Sequence, residues 1–196
     1  MDIKSVKCVY SGKAGSTKRI ASAVGNVLSE DVSCAELCGK GAASLSFAAG
    51  DVLVAVLPVC GLRLPADAVS ALRRLQGSGG AAIAVVLSGE GDYGDALLEL
   101  CDTLGAVGFS VAGAAAFFTD GCTRPDDGDF SKLVEFATAC SDRLADCVGC
   151  CRAPEVPGRR PYRKNAVGGK MVSFFKTIFG GGAKRPVERP EPAWFI

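Results

Sequence analysis

Apolar residues fall in five short runs, at residues 3–10, 32–37, 51–57, 81–87 and 108–118, each bounded by polar or glycine-rich turns. The runs are rich in Val, Ile, Leu and Ala and lack strict alternation, which is the pattern of parallel strands buried on both faces. Between them the spacing becomes helical, over residues 16–28, 65–75 and 93–107, and a further helix is predicted over 129–147. In the third segment Ala96, Leu97, Leu100, Leu104 and Val107 form the apolar stripe, and Glu99, Asp102 and Thr103 are assigned to the water face. Leu133, Phe136, Ala137, Cys140, Leu144 and Cys147 make one stripe of the last helix, which Gly149 and Pro154 end. The alternation predicts an α/β fold: an open, doubly wound, five-stranded parallel sheet with ligands gathered beyond the carboxyl ends of its strands.

The pattern changes after Pro154. Pro157, Gly158, Arg159, Arg160, Pro161 and Arg163 read as a basic, extended linker, which divides the chain into a domain of residues 1–153 and an extension of residues 154–196. Within the extension Met171, Phe174, Phe175, Ile178 and Phe179 form a short apolar helical face between lysines, followed by a proline-rich end carrying Trp194 and Phe195. Docking onto its own domain ranks first for that face, a partner's groove second and a membrane surface third, because the stripe is short.

Charge and composition narrow the chemistry. A net charge of +1 over 196 residues gives no global field for nucleic acid or an acidic membrane. The absence of histidine excludes Ser-His-Asp and Cys-His nucleophilic schemes and histidine-based zinc sites. Ten cysteines without a signal-peptide pattern at Met1–Lys4 are expected in a reducing cytoplasm, with Cys8, Cys60 and Cys101 serving as small hydrophobes. Cys147, Cys150 and Cys151 cluster but are one ligand short of a metal site, and Asp126, Asp127 and Asp129 lack the spacing of a calcium loop, so no metal is expected.

The densest chemical signal lies at residues 6–18, where an apolar strand enters a Gly/Ser/Thr turn and then a helix. Glycines let several backbone N–H groups converge, and the helix dipole adds attraction for an anion, so the turn suits phosphate. It is neither a Walker loop, since Lys13 directly follows the first glycine, nor a dinucleotide Gly-x-Gly-x-x-Gly turn. The purely structural alternative uses Gly15 as punctuation and Ser16 or Thr17 as the N-cap.

Further motifs follow: Pro58-Val59-Cys60-Gly61-Leu62-Arg63-Leu64-Pro65, Tyr93-Gly94-Asp95-Ala96-Leu97-Leu98-Glu99-Leu100, Gly113-Ala114-Ala115-Ala116-Phe117, Arg124-Pro125-Asp126 and Val156-Pro157-Gly158. Taken in order over residues 1–163, they resemble the flavodoxin-like domain of the flavodoxin/ferredoxin fusion family of anaerobic bacteria and archaea. The resemblance implies strand order 2-1-3-4-5 and an FMN site. It places the phosphate at Gly12, Lys13, Ala14, Gly15, Ser16 and Thr17. It places the ring between Pro58, Val59, Cys60, Gly61 and Leu62 on one side and Ser88, Gly89, Glu90, Gly91, Asp92 and Tyr93 on the other. Electron transfer with a redox protein partner is the implied role, the flavin carrying the electrons, and no catalytic residue is assigned.

The chain departs from that family at the ligand. Gly12 and Ala14 stand where it has hydroxyl residues, Cys60 where it has tyrosine, and Ser88-Gly89-Glu90-Gly91 where it has Tyr-Gly-Asn-Arg. Tyr93 is assigned to the helix start and Phe118 to packing under the sheet, which leaves no aromatic platform for the ring. The ferredoxin Cys-x-x-Cys-x-x-Cys-x-x-x-Cys-Pro run is missing, so no iron–sulfur cluster is expected. The rival reading is a non-enzymatic scaffold or interaction module that keeps a corner for a phosphate-bearing ligand and no longer binds FMN. Lys13, inside the turn, offers a charged donor in place of the missing hydroxyls. Lys13→Ala is therefore expected to weaken FMN binding about tenfold to a hundredfold, the worth of one charge-assisted hydrogen bond, as measured by fluorescence titration.

Overall fold

The apolar runs become strands flanked on both faces by helices. The computed structural model describes residues 3–12, 15–38, 45–48, 50–89, 91–118, 127–146, 152–163 and 190–196, with side chains of the 127–146 stretch from Phe130 onward. Five parallel strands, β1 (Ser5–Tyr10), β2 (Val32–Glu36), β3 (Asp51–Pro58), β4 (Ala81–Ser88) and β5 (Ser110–Phe118), take the expected order 2-1-3-4-5. Helices α1 (Ser16–Leu28), α2 (Ala66–Leu72), α3 (Ala96–Ala106) and α4 (Asp127–Asp146) complete the double winding. Alternate residues of each strand serve opposite cores: Val9, Leu53, Ala55, Leu57 and Val86 meet α2 and α3, while Val6, Cys8, Val54, Val56 and Val85 meet α1 and α4. A parallel strand with helices on both sides must be apolar throughout, which is why the runs do not alternate. Among the described residues no helix is long and apolar enough to cross a membrane.

Among the described residues the sheet has six strands rather than five. Ala193–Phe195 forms β6, which pairs antiparallel with β5 in the register Ala114↔Phe195, Ala115↔Trp194 and Ala116↔Ala193. Edge-strand N–H and C=O groups need partners, and the end of the chain supplies them to β5. Trp194 reaches Phe136 of α4, with ring centroids 6.4 Å apart, while Phe195 packs into the core on the other face. Three residues in a proline-rich stretch are too few to show a period, so the sequence carried no pattern for this strand.

A second correction concerns α3. Glu99 and Thr103, assigned to water, are 6% and 7% exposed. Thr103 Oγ1 donates to the Glu99 carbonyl at 2.7 Å, and the Glu99 carboxylate pairs with Arg63. Periodicity sorted these residues by polarity, but a buried charge is acceptable when a distant partner neutralises it.

At the amino edge of the sheet, Asp51 holds β1 against β3. Its carboxylate accepts from Ala48 N at 2.9 Å, Lys7 Nζ at 2.5 Å and Ser5 Oγ at 2.8 Å. The Ala48 N–H and the Lys7 ammonium together bring its carboxyl down to about 2. At the far side of the sheet, Gly113 of β5 lies under α4, where a Cβ would overlap Cys140 Sγ and meet the Phe136 ring at 3.4 Å. Gly113→Ala is expected to cost about 1–3 kcal/mol by overpacking, seen as a lower urea midpoint with an unchanged slope.

Candidate functional site

The first loop leaves β1 at Tyr10 and turns across its carboxyl end. Ser11 is buried and its N–H bonds the Val56 carbonyl at 3.3 Å, tying the loop to β3. Gly12 has φ 123° and Gly15 φ 72°, so both occupy left-handed backbone that favours glycine. Gly15, not Ser16 or Thr17, is the N-cap of α1, and no side chain caps that helix. Its first N–H groups therefore lack intrahelical partners. Thr17 sits in the first turn, 4% exposed, and its Oγ1 has no hydrogen-bond partner among the described residues. That hydroxyl points toward Gly12, where an added Cβ would lie 3.5 Å from it and 3.9 Å from Pro58 Cγ. Leaving a buried hydroxyl unpaired costs about 1–3 kcal/mol, and a phosphate oxygen at the helix head would recover it. Lys13 and Ala14 lie outside the described residues. Cys38, a neighbour that sequence reasoning missed, follows β2: its thiol donates to Asp67 Oδ2 at 3.8 Å, and burial raises it above its ordinary value.

The second loop leaves β3 and makes a tight hairpin. Cys60 N donates to Arg63 O at 2.9 Å and Arg63 N to Cys60 O at 3.3 Å, with Gly61 at φ 58° and Leu62 at φ 68°. Two consecutive positive φ values define a type I′ turn, and a leucine in the second costs about 1–2 kcal/mol. Two contacts hold it there: the Leu62 carbonyl accepts Asp95 N–H at 3.0 Å, and its side chain lies where any Cβ on Gly94 would collide. Pro58 and Val59 are half-buried, and Val59 N donates to Leu87 O at 2.8 Å. Cys60 is exposed at the turn, contrary to its expected role as a small core residue.

The third loop leaves β4 at Ser88, which is buried and donates through Oγ to the Asp92 carbonyl at 2.5 Å. Gly89, Gly91 and Asp92 are exposed, and Glu90 lies outside the described residues. Asp92 Oδ1 accepts Gly94 N at 2.8 Å. Tyr93 is half-buried and leans on Phe118, ring centroids 6.3 Å apart, and burial raises its phenol above the ordinary range. The helix starts one residue past Asp95, its N-cap, so Tyr93 contributes a carbonyl to the turn rather than a cap. Pro190, leading into β6, stands 3.9 Å from the position of a Cβ on Gly91. The three loops thus meet at one end of the sheet, as the sequence implied, but no aromatic residue occupies residues 58–62 or the described part of 88–92.

A latch of buried charge secures the second and third loops. Arg63 forks onto Glu99, Nε to Oε2 at 2.8 Å and Nη2 to Oε1 at 2.5 Å, and Glu99 Oε2 also accepts Leu64 N at 3.1 Å. The same guanidinium lies 4.6 Å from the Tyr162 ring centroid and donates to Arg163 O at 2.6 Å. Asp95, fully buried, accepts Arg163 N–H at 2.7 Å and Arg159 N–H at 3.3 Å. Burial alone raises the Asp95 carboxyl, but the N–H groups of Arg163 and Arg159 outweigh it and hold the carboxyl below its ordinary value. Asp102 receives the Arg160 fork at 2.7 and 2.5 Å and the Tyr162 hydroxyl at 2.5 Å, and it too is lowered, chiefly by Arg160. Residues 157–163, expected as an extended basic linker, therefore contain a strap laid along α3. The signal was present: Asp95, Glu99 and Asp102 recur at helical spacing on one face, opposite a run of arginines.

Among the described residues no group of three His, Cys, Asp or Glu is placed to hold a metal. The Cys147–Cys151 cluster and the Met171–Phe179 stretch lie outside those residues.

No protein-family model matches the sequence, and no curated protein does. Solved structures do match. An oxidoreductase from Corynebacterium diphtheriae superposes with a TM-score of 0.57 at 16% identity, covering 76% of this chain and 100% of that one. A short-chain flavodoxin associated with a PDU bacterial microcompartment gives 0.55 at 16% identity, over 71% and 98% of the two chains. Flavodoxin 2 from Bacillus cereus gives 0.53 at 17%, over 71% and 99%. At this identity the likeness is one of fold, and the fold is flavodoxin-like.

Asp95→Asn is expected to loosen the strap by weakening two charge-assisted hydrogen bonds, lowering stability by about 1.5–3 kcal/mol. Limited trypsin digestion then cuts faster after Arg159 and Arg163. Because Asp95 and Asp102 are lowered in the folded protein, the unfolded chain binds more protons in acid. Their stabilising share is complete above about pH 5 and declines as pH falls below about 4 through their folded values, which urea midpoints measured from pH 3 to 7 record.

Proposed function

We propose that this chain binds FMN through its phosphate at the head of α1 and carries electrons between protein partners. The observation that carries the reading is Thr17, whose buried hydroxyl, without a hydrogen-bond partner among the described residues, faces the glycine turn at a helix end that no side chain caps. These groups fit a phosphate: backbone N–H donors, a hydroxyl donor, and a dipole of the right sign. Gly12, Lys13, Ala14, Gly15, Ser16 and Thr17 would hold it, with Pro58–Leu62 and Ser88–Tyr93 flanking the ring. When bound, the flavin supplies the reversible redox chemistry. The protein's own contribution is to bind, shield and bias. Val59 and Leu62 bring apolar surface to the rim, and Asp92 brings negative charge that opposes added negative charge on a reduced ring. The solved flavodoxins with this fold support electron carriage as the role.

A second reading, a scaffold that accepts a phosphate group and no flavin, is favoured by the rim. Leu62 and Gly94 close the two ring loops on each other, and Tyr93 rests on Phe118. One titration separates them. Under the first reading FMN fluorescence is quenched saturably at micromolar protein, and riboflavin, which lacks the phosphate, binds at least about tenfold more weakly. Unquenched FMN together with a thermal midpoint raised by inorganic phosphate selects the scaffold, and neither response removes both. Thr17→Val is the sharper variant: it deletes an orphan hydroxyl at nearly constant volume. Its expected outcome is FMN affinity lowered about tenfold or more, with an apo unfolding midpoint equal to or above the parent's.

A further inference from the structure

We infer that Cys8 and Cys34 form a thiol–disulfide site between β1 and β2, with Cys34 meeting the oxidant and Cys8 resolving the bond. The inference is independent of any flavin. Cys8 and Cys34 are register partners in the parallel β1–β2 pair. Adjacent strands lie about 4.8 Å apart, inside the Cα separation of about 4.4–6.8 Å that a disulfide spans. Both side chains face α1: Cys8 Sγ donates to the Ala21 carbonyl at 3.2 Å, and Cys34 Sγ lies 3.3 Å from Ser22 Oγ. Gly25 of α1 permits this closeness, since a Cβ there would come within 2.9 Å of Cys8 Sγ and 2.7 Å of Val32 Cγ1.

The environments assign the roles. Cys34 is exposed on the edge strand, whereas Cys8 is fully buried and desolvation raises its thiol. An external oxidant therefore reaches Cys34 and not Cys8. The co-reactant is a low-molecular-weight disulfide of the glutathione type. The Cys34 thiolate attacks it, forming a mixed disulfide and releasing one small thiol. Cys8 sulfur then attacks Cys34 sulfur, the mixed S–S bond breaks, and the Cys8 proton ends on the second departing thiolate. Two S–H bonds are lost, one S–S bond is gained, and the small disulfide is reduced to two thiols. The new bond fastens the edge strand to the strand that enters the Gly12–Thr17 turn.

The test uses the full native chain. It is incubated with glutathione disulfide, its remaining thiols are alkylated under denaturing conditions, and it is digested with trypsin. The expected product has lost two hydrogens at this pair, reverts with dithiothreitol, and joins the tryptic peptide 8–13 to the peptide 20–40. Cys34→Ser should abolish the linked peptide, and Cys38→Ser, altered in the same 20–40 peptide, should retain it. Cys34 accumulating as a stable glutathione adduct while Cys8 remains alkylatable would overturn the proposal. So would a link that survives Cys34→Ser.

Discussion

Burial of the sheet on both faces is the constraint from which the rest follows. Strand β4 is buried along its whole length and β3 along all but its last residue, enclosed by α1 and α4 on one side and α2 and α3 on the other. Burying each large aliphatic side chain is worth about 1.5–3 kcal/mol, so these strands tolerate no exposed face. Alanine and glycine at Ala82, Ala84, Gly113 and Ala114 let the helices approach closely, and Gly25 does the same from the α1 side. With the faces sealed, backbone able to meet a ligand is left at the carboxyl ends, where three loops converge.

Those loops solve different physical problems. The first is local: a glycine turn and a helix head, a few residues apart, create a corner from backbone alone. The rim opposite is not local. Leucine in a left-handed turn and a fully buried carboxylate are both costly features, and they coexist because each completes the other. Asp95 N–H fixes the Leu62 carbonyl, while the Asp95 carboxylate collects two N–H groups from the strap. The corner is therefore set by nearby sequence, and the rim by a contact across the chain.

Much of the fold was legible because the apolar runs and the helix stripes are long relative to their period. α1 spans Ser16–Leu28, the bounds that its pattern predicts. The glycine turn into α1 was legible for the same reason, being contiguous. Glu99 was misplaced because a stripe pattern registers polarity and has no knowledge of Arg63, 36 residues away, which neutralises it. Cys60 was misplaced because a thiol beside an apolar strand looks like core until the turn is seen to carry it outward. β6 left no trace at all, being too short to have a period, and its pairing is decided by the vacancy on the β5 edge rather than by its own composition.

The contact between Arg63 and the Arg163 carbonyl joins residues 100 positions apart. Closing so long a loop is entropically expensive and slow compared with pairing β1 to its neighbours. For a chain leaving the ribosome amino end first, the corner at the head of α1 can assemble from β1, β2, α1 and β3, while the rim waits until the strap has emerged. The two ends of this loop cluster thus have different birth times, and the rim closes only once the strap has been synthesised.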